Sequence, residues 1–374
     1  MILASCQSVT VSAVHDTAWD ALVGIAPAAN SFLRSACLEM IARTDSYGVC
    51  FHRVAVFGTD GTMRGAWALP YRTRAGFRYS TYFEFFYAGP FLHPELESGS
   101  VHHARERIDV MQALAAAQSG FIDIIEAETH PAVTDVRPFL YAGWAAVPLY
   151  THVWDMDDPD QVWDRMNREK RRLIRRSMET LRFGFETWGQ AVDEFLVLYR
   201  QLITKFDWVP LPCWDADLRR RMKELHAWDT GRLFTARTAE GELKAAVIAL
   251  LSRDDRTVYL WRCAYQADPE AHTVIPALYW KVSLAMRQEW GAPLSINFGG
   301  SPRLNLTLFK DYIGARPVLH FRLIHDRPGW RTRAWRTARR WKEHARRMTT
   351  RAGLLGAYYR QRATPVTEEE GMDV

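Results

Sequence analysis

Ser295-Ile296-Asn297-Phe298-Gly299-Gly300-Ser301 is followed by Asn305-Leu306-Thr307-Leu308-Phe309-Lys310-Asp311-Tyr312-Ile313-Gly314-Ala315. The pair reads as a short strand ending at a glycine turn, then a short helix bearing Phe309 and Lys310. Glycines directly after a strand let the backbone turn tightly or come close to a ligand. Lys310 is then near the carboxyl end of a strand, where α/β sheets commonly hold ligands. A plain β-turn-α unit with a solvated lysine satisfies the same residues. The stretch alone therefore fixes a local shape and leaves the chemistry open.

Working outward, the segment before it is Val274 to Trp290, an amphipathic helix with Ile275, Leu278, Tyr279, Val282 and Met286 on one face. Before that come three strands, Leu233 to Arg237, Leu243 to Ser252 and Thr257 to Ala264, the first pair linked by Glu240-Gly241-Glu242. Helices at Gln190 to Phe206 and Asp215 to Ala227, a strand at Phe183 to Thr187 and a basic helix at Gln161 to Leu181 complete this half. A last strand, Arg316 to Ile324, follows the Phe309-Lys310 helix.

The N-terminal half shows a similar order. Helices are expected at Trp19 to Ile25 and Ser31 to Ala42, the second capped by Asn30-Ser31. A hairpin of Val54 to Phe57 and Arg64 to Tyr71 turns at Thr59-Asp60-Gly61-Thr62. Tyr79 to Leu92 is rich in aromatics and reads as an aromatic strand, which serves a core more often than a binding surface. A helix at His103 to Gln118, a strand at Phe121 to Ala127, a short helix at Asp135 to Ala142 and an extended Ala145 to Trp154 close the half. The boundary falls in the acidic link Asp155 to Asp160, whose carboxylates and proline suit a helix start. The order is α/β layered in both halves, each a mixed, mostly antiparallel sheet flanked by helices.

The 374 residues suffice for two ordinary domains, and 48% hydrophobic and 24% charged residues are globular proportions. No apolar run is long enough to cross a bilayer, and the N-terminus lacks the basic start of a signal peptide, so the expected location is cytoplasmic. Five scattered cysteines fit reduced packing residues. The net charge of +5 hides an asymmetry: residues 327–362 hold 12 Arg/Lys against one acid, Glu343, while residues 1–326 are close to neutral. Such a basic end points to a polyanion or an anionic membrane surface. Within it Ala334, Ala338, Trp341, Ala345, Met348, Ala352, Leu355 and Tyr359 form one helical stripe flanked by arginines. That segment, residues 327–374 with its acidic tail, is able to dock on the body, lie peripherally on the inner face of the membrane, or bind RNA backbone.

The run Asn297 to Ser301, then Phe309-Lys310 and Gly314-Ala315, resembles the end of the FemABX-type acyltransferase domain, within the wider GNAT superfamily. Asn167-Arg168-Glu169-Lys170-Arg171-Arg172-Leu173-Ile174-Arg175-Arg176 resembles the basic helix that opens that domain. Ala68-Leu69-Pro70-Tyr71 through Phe86-Tyr87-Ala88-Gly89-Pro90 resembles the middle of the family's first domain. The resemblance implies tandem GNAT-like domains at residues 1–157 and 158–326, and transfer of an aminoacyl or acyl group to an amine, which could be lipid-linked.

The resemblance places Lys310 beside the reacting ester, where a fixed cation stabilises an oxyanion, with Phe309 holding it. Gly299, Gly300 and Ser301 would admit substrate, and Tyr87 would stand near the cleft. Arg172 and Arg175 match the basic block best, and the arginines of that helix read either as phosphate ligands or as a solvated face. GNAT acetyltransferases cradle coenzyme A phosphates on a glycine-rich loop, whereas Gln266 to Thr273 has no glycine and two acids, Asp268 and Glu270. That departure favours aminoacyl-tRNA over acyl-CoA as donor, with no bound cofactor. Asp268, Glu270 and Asp311 are candidate bases. The histidines have no metal-ligand spacing, so no metal site is expected. The competing readings are an acyl-CoA-dependent N-acyltransferase and a non-catalytic membrane- or RNA-binding protein on the same fold.

Overall fold

The computed structural model describes residues 6–10, 15–97, 101–205, 213–266, 271–301, 303–338 and 341. Strand β1 (Cys6–Thr10) edges the sheet against β2 (Cys50–Gly58), which turns through Asp60-Gly61 into β3 (Met63–Arg74). Gly61 has φ +81°, and Asp60 accepts from the Thr62 amide at 2.9 Å, the turn chemistry the sequence asks for. Helices α1 (Asp16–Val23) and α2 (Ser35–Thr44) precede the hairpin, and Asn30 caps a single turn between them by accepting from Phe32 N. The aromatic stretch Tyr79 to Leu92 is not one strand. It comprises the end of β4 (Phe77–Ser80), an irregular segment and β5 (Phe91–Leu92), with Phe86 in the left-handed region at φ +74°. Phe83, Phe85 and Tyr87 pack inward from a loop instead of alternating across a sheet, while Tyr82 is exposed.

The half continues with α3 (Pro94–Glu97), α4 (Ala104–Phe121), β6 (Ile124–Glu128), α5 (Arg137–Tyr141) and β7 (Ala145–Asp155). The expected single basic helix is two helices, α6 (Pro159–Arg165) and α7 (Arg168–Thr180). Asn167 causes the break: its side chain accepts from Glu169 N at 2.8 Å, capping α7, while its own amide donates to Tyr312 O. Then follow β8 (Arg182–Glu186), α8 (Gln190–Lys205), α9 (Trp214–Ala227), β9 (Gly231–Arg237), β10 (Leu243–Ser252), β11 (Thr257–Tyr265), α10 (Ala271–Trp290), β12 (Ser295–Gly300), α11 (Leu304–Tyr312) and β13 (Arg316–Asp326).

The two halves repeat one plan: three antiparallel strands, a long helix, a strand parallel to the third, a short helix and a last strand. β4 pairs β6 in parallel, as β11 pairs β12. All of them belong to one sheet, ordered β1-β2-β3-β4-β6-β13-β7-β12-β11-β10-β9-β8. The last strands are exchanged. β7 lies against β12 of the second half, and β13 lies between β6 and β7. Each half is therefore completed by the other's final strand, and residues 1–326 form one compact unit.

Both faces of the sheet are covered. Along β10, Ala246, Ile248 and Leu250 enter one buried cluster while Ala245, Val247, Ala249 and Leu251 enter the other. α10 seals the second with Ile275, Leu278, Val282 and Met286, the stripe its sequence shows. No described helix is long and apolar enough to cross a membrane. Of the C-terminal segment, residues 330–338 are helical and Trp341 is helical too, while Ala345, Met348, Ala352, Leu355 and Tyr359 lie outside the described residues.

Candidate active site

Strands β11 and β12 stay paired over only three residues, Thr257↔Ser295, Val258↔Ile296 and Tyr259↔Asn297, and then part. The parting is built into β12. Its register against β7 slips between Asn297 and Gly300, a bulge that bends the strand. Asn297 fixes the bulge: its Oδ1 accepts from Thr151 Oγ1 at 2.7 Å and from Gly299 N at 2.8 Å, and its Nδ2 donates to Tyr87 OH at 3.1 Å. Gly299 has φ +69°, and a Cβ there would sit 3.1 Å from Phe86 Cε1. Glycine is needed at that position for backbone and for space.

The gap between the strands opens into a cavity of about 200 Å³. Leu260, Trp261 and Arg262 of β11 form one wall, and Phe298, Gly299 and Gly300 of β12 the other. Tyr82, Phe86 and Tyr87 come from the first half, with Glu128 at the end of β6 and His320 of β13. His320 is 2% exposed, and its Nδ1 has no hydrogen-bond partner. Burial lowers its pKa, so the imidazole is neutral near pH 7. Glu128 is held by Arg322 at 2.7 Å. Tyr87 is buried, and desolvation pushes its phenol well up, so it stays protonated.

Lys310 approaches the same bend from behind. Its Nζ donates to the carbonyls of Phe298, Gly299 and Gly300 at 2.9, 2.7 and 2.9 Å. The side chain is 7% exposed, and burial lowers its pKa to about 8. An ammonium has three protons, and all three are engaged here. Lys310 therefore ties down the backbone that forms one wall of the cavity.

Residues 164–292 match the family model of the acetyltransferase (GNAT) domain. The chain carries a GNAT domain. No curated protein matches the sequence. Among solved structures, the crystal structure of FemX shares 12% identity over 84% of this chain and 96% of that one, with a TM-score of 0.62. A conserved protein of unknown function from Bacteroides thetaiotaomicron shares 10% identity over 83% and 97%, with a TM-score of 0.51. A tandem GNAT protein from the clavulanic acid biosynthesis pathway shares 10% over 87% and 99%, with a TM-score of 0.49. The fold of this chain is thus one that the FemX structure shares.

The structure places the expected residues unevenly. Gly299, Gly300 and Tyr87 line the cavity, and Lys310 stands behind it. Phe309 is partly buried against Tyr279, ring centroids 6.4 Å apart, and Tyr279 packs in turn on Phe298. Ser301 is half-buried, with an unpartnered Oγ just past the wall. Arg172 and Arg175 are exposed on α7 and do not line the cavity; Arg175 stacks over Trp163 at 5.3 Å. α7 packs on α10, where Ser177 Oγ donates to Thr273 O near the helix start. Asp311 is half-exposed, 3.5 Å from His152 Nε2, and Asp268 and Glu270 lie outside the described residues. Sequence reasoning missed His320, Glu128, Trp261 and Arg262, which reach the site only through long-range strand pairing.

Proposed function

We propose that the protein transfers an aminoacyl group from aminoacyl-tRNA to an amine acceptor, in the cleft where β11 and β12 separate. The observation that carries this reading is the cleft itself: a bulged, glycine-walled opening against β11 of the matched GNAT domain, with a buried neutral imidazole in its lining. In this reaction the amine nitrogen attacks the ester carbonyl carbon. The C–N bond forms, the C–O bond to the ribose breaks, and the ribose oxygen leaves with a proton. His320, whose ring lines the cleft and whose Nδ1 has no partner, takes the proton lost by the attacking amine. Lys310 favours the oxyanion through its fixed charge and by holding residues 298–300 in place, its own protons being bound to their carbonyls. Burial on this scale makes such a charge effective over a few ångströms.

Two features favour tRNA as the donor. The segment Gln266 to Thr273 has no glycine and contains Asp268 and Glu270. The exposed Arg172 and Arg175 of α7 suit a phosphate backbone. An acyl-CoA donor is the second reading, because the matched domain is described as an acetyltransferase. The test is incubation with labelled aminoacyl-tRNA pools and, separately, labelled acyl-CoAs, with amine-bearing envelope extracts as acceptor. Transfer from tRNA, abolished in His320→Asn, supports the proposal. Transfer from acyl-CoA alone overturns the donor, and transfer by His320→Asn at the wild-type rate overturns the proton route.

A further inference from the structure

Aromatic side chains near the C-terminus are usually found covered, since an indole exposed to water forgoes a large burial gain. Trp330 and Trp341 break that expectation at 78% and 70% exposure. Residues 330–338 are helical, and at helical periodicity a spacing of eleven residues is close to three full turns. On a helical wheel the two tryptophan positions fall on one side, with the exposed Ala334, Thr337 and Ala338 on or beside it. Thr332, at 6% exposed, and the half-buried Trp335 and Arg336 fall on the opposite side of the helix.

Arg331 and Arg333 are exposed and flank the tryptophan side about 100° and 60° around the helix. From Arg327 to Trp341 the chain has six arginines and no acidic residue. Indoles at the centre of a face with cations along its borders match the boundary of a bilayer. There the rings sit at headgroup depth, and guanidiniums reach outward to lipid phosphates. A soluble protein partner would meet the same face with acids opposite arginines. RNA would engage the arginines but leaves no reason for two uncovered indoles on one side.

We infer that the Trp330–Trp341 face docks the protein on an anionic lipid surface. The face is narrow and its attachment peripheral, so binding combines charge attraction with shallow insertion of two indoles. Such docking is independent of which acyl donor the cleft takes, and it would bring the cleft to amine acceptors carried at the surface.

The full chain is tested by co-sedimentation with vesicles of pure phosphatidylcholine and with vesicles about one-third phosphatidylglycerol, at low and high salt. Expected is binding to the anionic vesicles at least about tenfold tighter than to the neutral ones. Trp330→Ser with Trp341→Ser should lower that binding by about tenfold or more, with an unchanged circular dichroism spectrum. Arg331→Gln with Arg333→Gln should weaken it at low salt and matter less at high salt. Absence of binding to anionic vesicles overturns the inference, as does undiminished binding by the double tryptophan variant. Displacement from vesicles by bulk RNA, with the tryptophan variant binding that RNA as tightly as wild type, would assign the basic end to RNA instead.

Discussion

The ammonium of Lys310 lies 2.7 Å from the carbonyl oxygen of Gly299, the central one of three successive carbonyls that it gathers. This contact makes the lysine part of the wall of the cleft. Replacing it with methionine keeps most of the volume and leaves three buried carbonyls without their donor. The expected loss of stability is about 2–4 kcal/mol, measured by urea denaturation. The pH dependence gives a sharper check. The folded-state pKa is lowered to about 8 from 10.5, so between these values the unfolded chain binds more protons and stability contributed by this site rises with pH. The stability gap between wild type and Lys310→Met should therefore widen through that window. A gap that stays flat would mean the amine is not held in a desolvated site.

Gly299 supplies the second test. Alanine there must adopt a left-handed backbone and meet Phe86 at 3.1 Å. The backbone term costs about 1 kcal/mol, and the methyl also narrows the cavity from the side Phe86 already borders. Gly299→Ala should fold with slightly lower stability and lose most of its transfer activity. Gly184, with open space around its Cβ position and no positive φ, is the control that should tolerate alanine. Equal activity in both variants would separate the bend from the chemistry.

His320 gives a prediction about rate. As the group that accepts the amine's proton, it must be neutral. Burial lowers its pKa below 6.5, so wild-type activity should persist somewhat below that value before falling with an acid limb. In His320→Asn the maximal rate should drop by about 10²–10⁴-fold and the acid limb should vanish, with KM little changed. A variant with lower rate but the same acid limb would place the titrating base elsewhere.

The contrast between Lys310 and His320 shows which parts of the site a sequence carries. Lys310, Gly299 and Gly300 fall within one short segment, so strand, turn and helix signals place them together by local rules. Element order was legible on the same grounds, down to the stripe of α10. His320 and Glu128 are 192 residues apart in sequence and come together only because β13 pairs β6, with Arg322 opposite Glu128. Nothing local in Arg316–Asp326 announces that its strand will cross into the other half. The break at Asn167 was a cap lost inside a long polar pattern, and Tyr79 to Leu92 read as a strand because loop aromatics and strand aromatics look alike in composition.

Glu97 lies away from the cleft and tests whether burial alone governs a carboxyl group in this fold. Its Oε1 accepts from Leu92 N at 3.1 Å, while its buried Oε2 has no partner. Burial raises its pKa to about 7 from 4.5, with the Leu92 amide pulling weakly the other way. Between those values the folded protein binds more protons than the unfolded chain, so this site's contribution to stability falls as pH rises from 4.5 to about 7 and stays low above. Glutamine keeps an oxygen for Leu92 N and removes the charge. Glu97→Gln should therefore match wild type at about pH 4 and exceed it by about 1–3 kcal/mol at about pH 8. Thermal unfolding at the two pH values measures the difference. If the variant were less stable than wild type at the higher pH, the carboxylate would have a compensating cation, and its burial would not be what controls its titration.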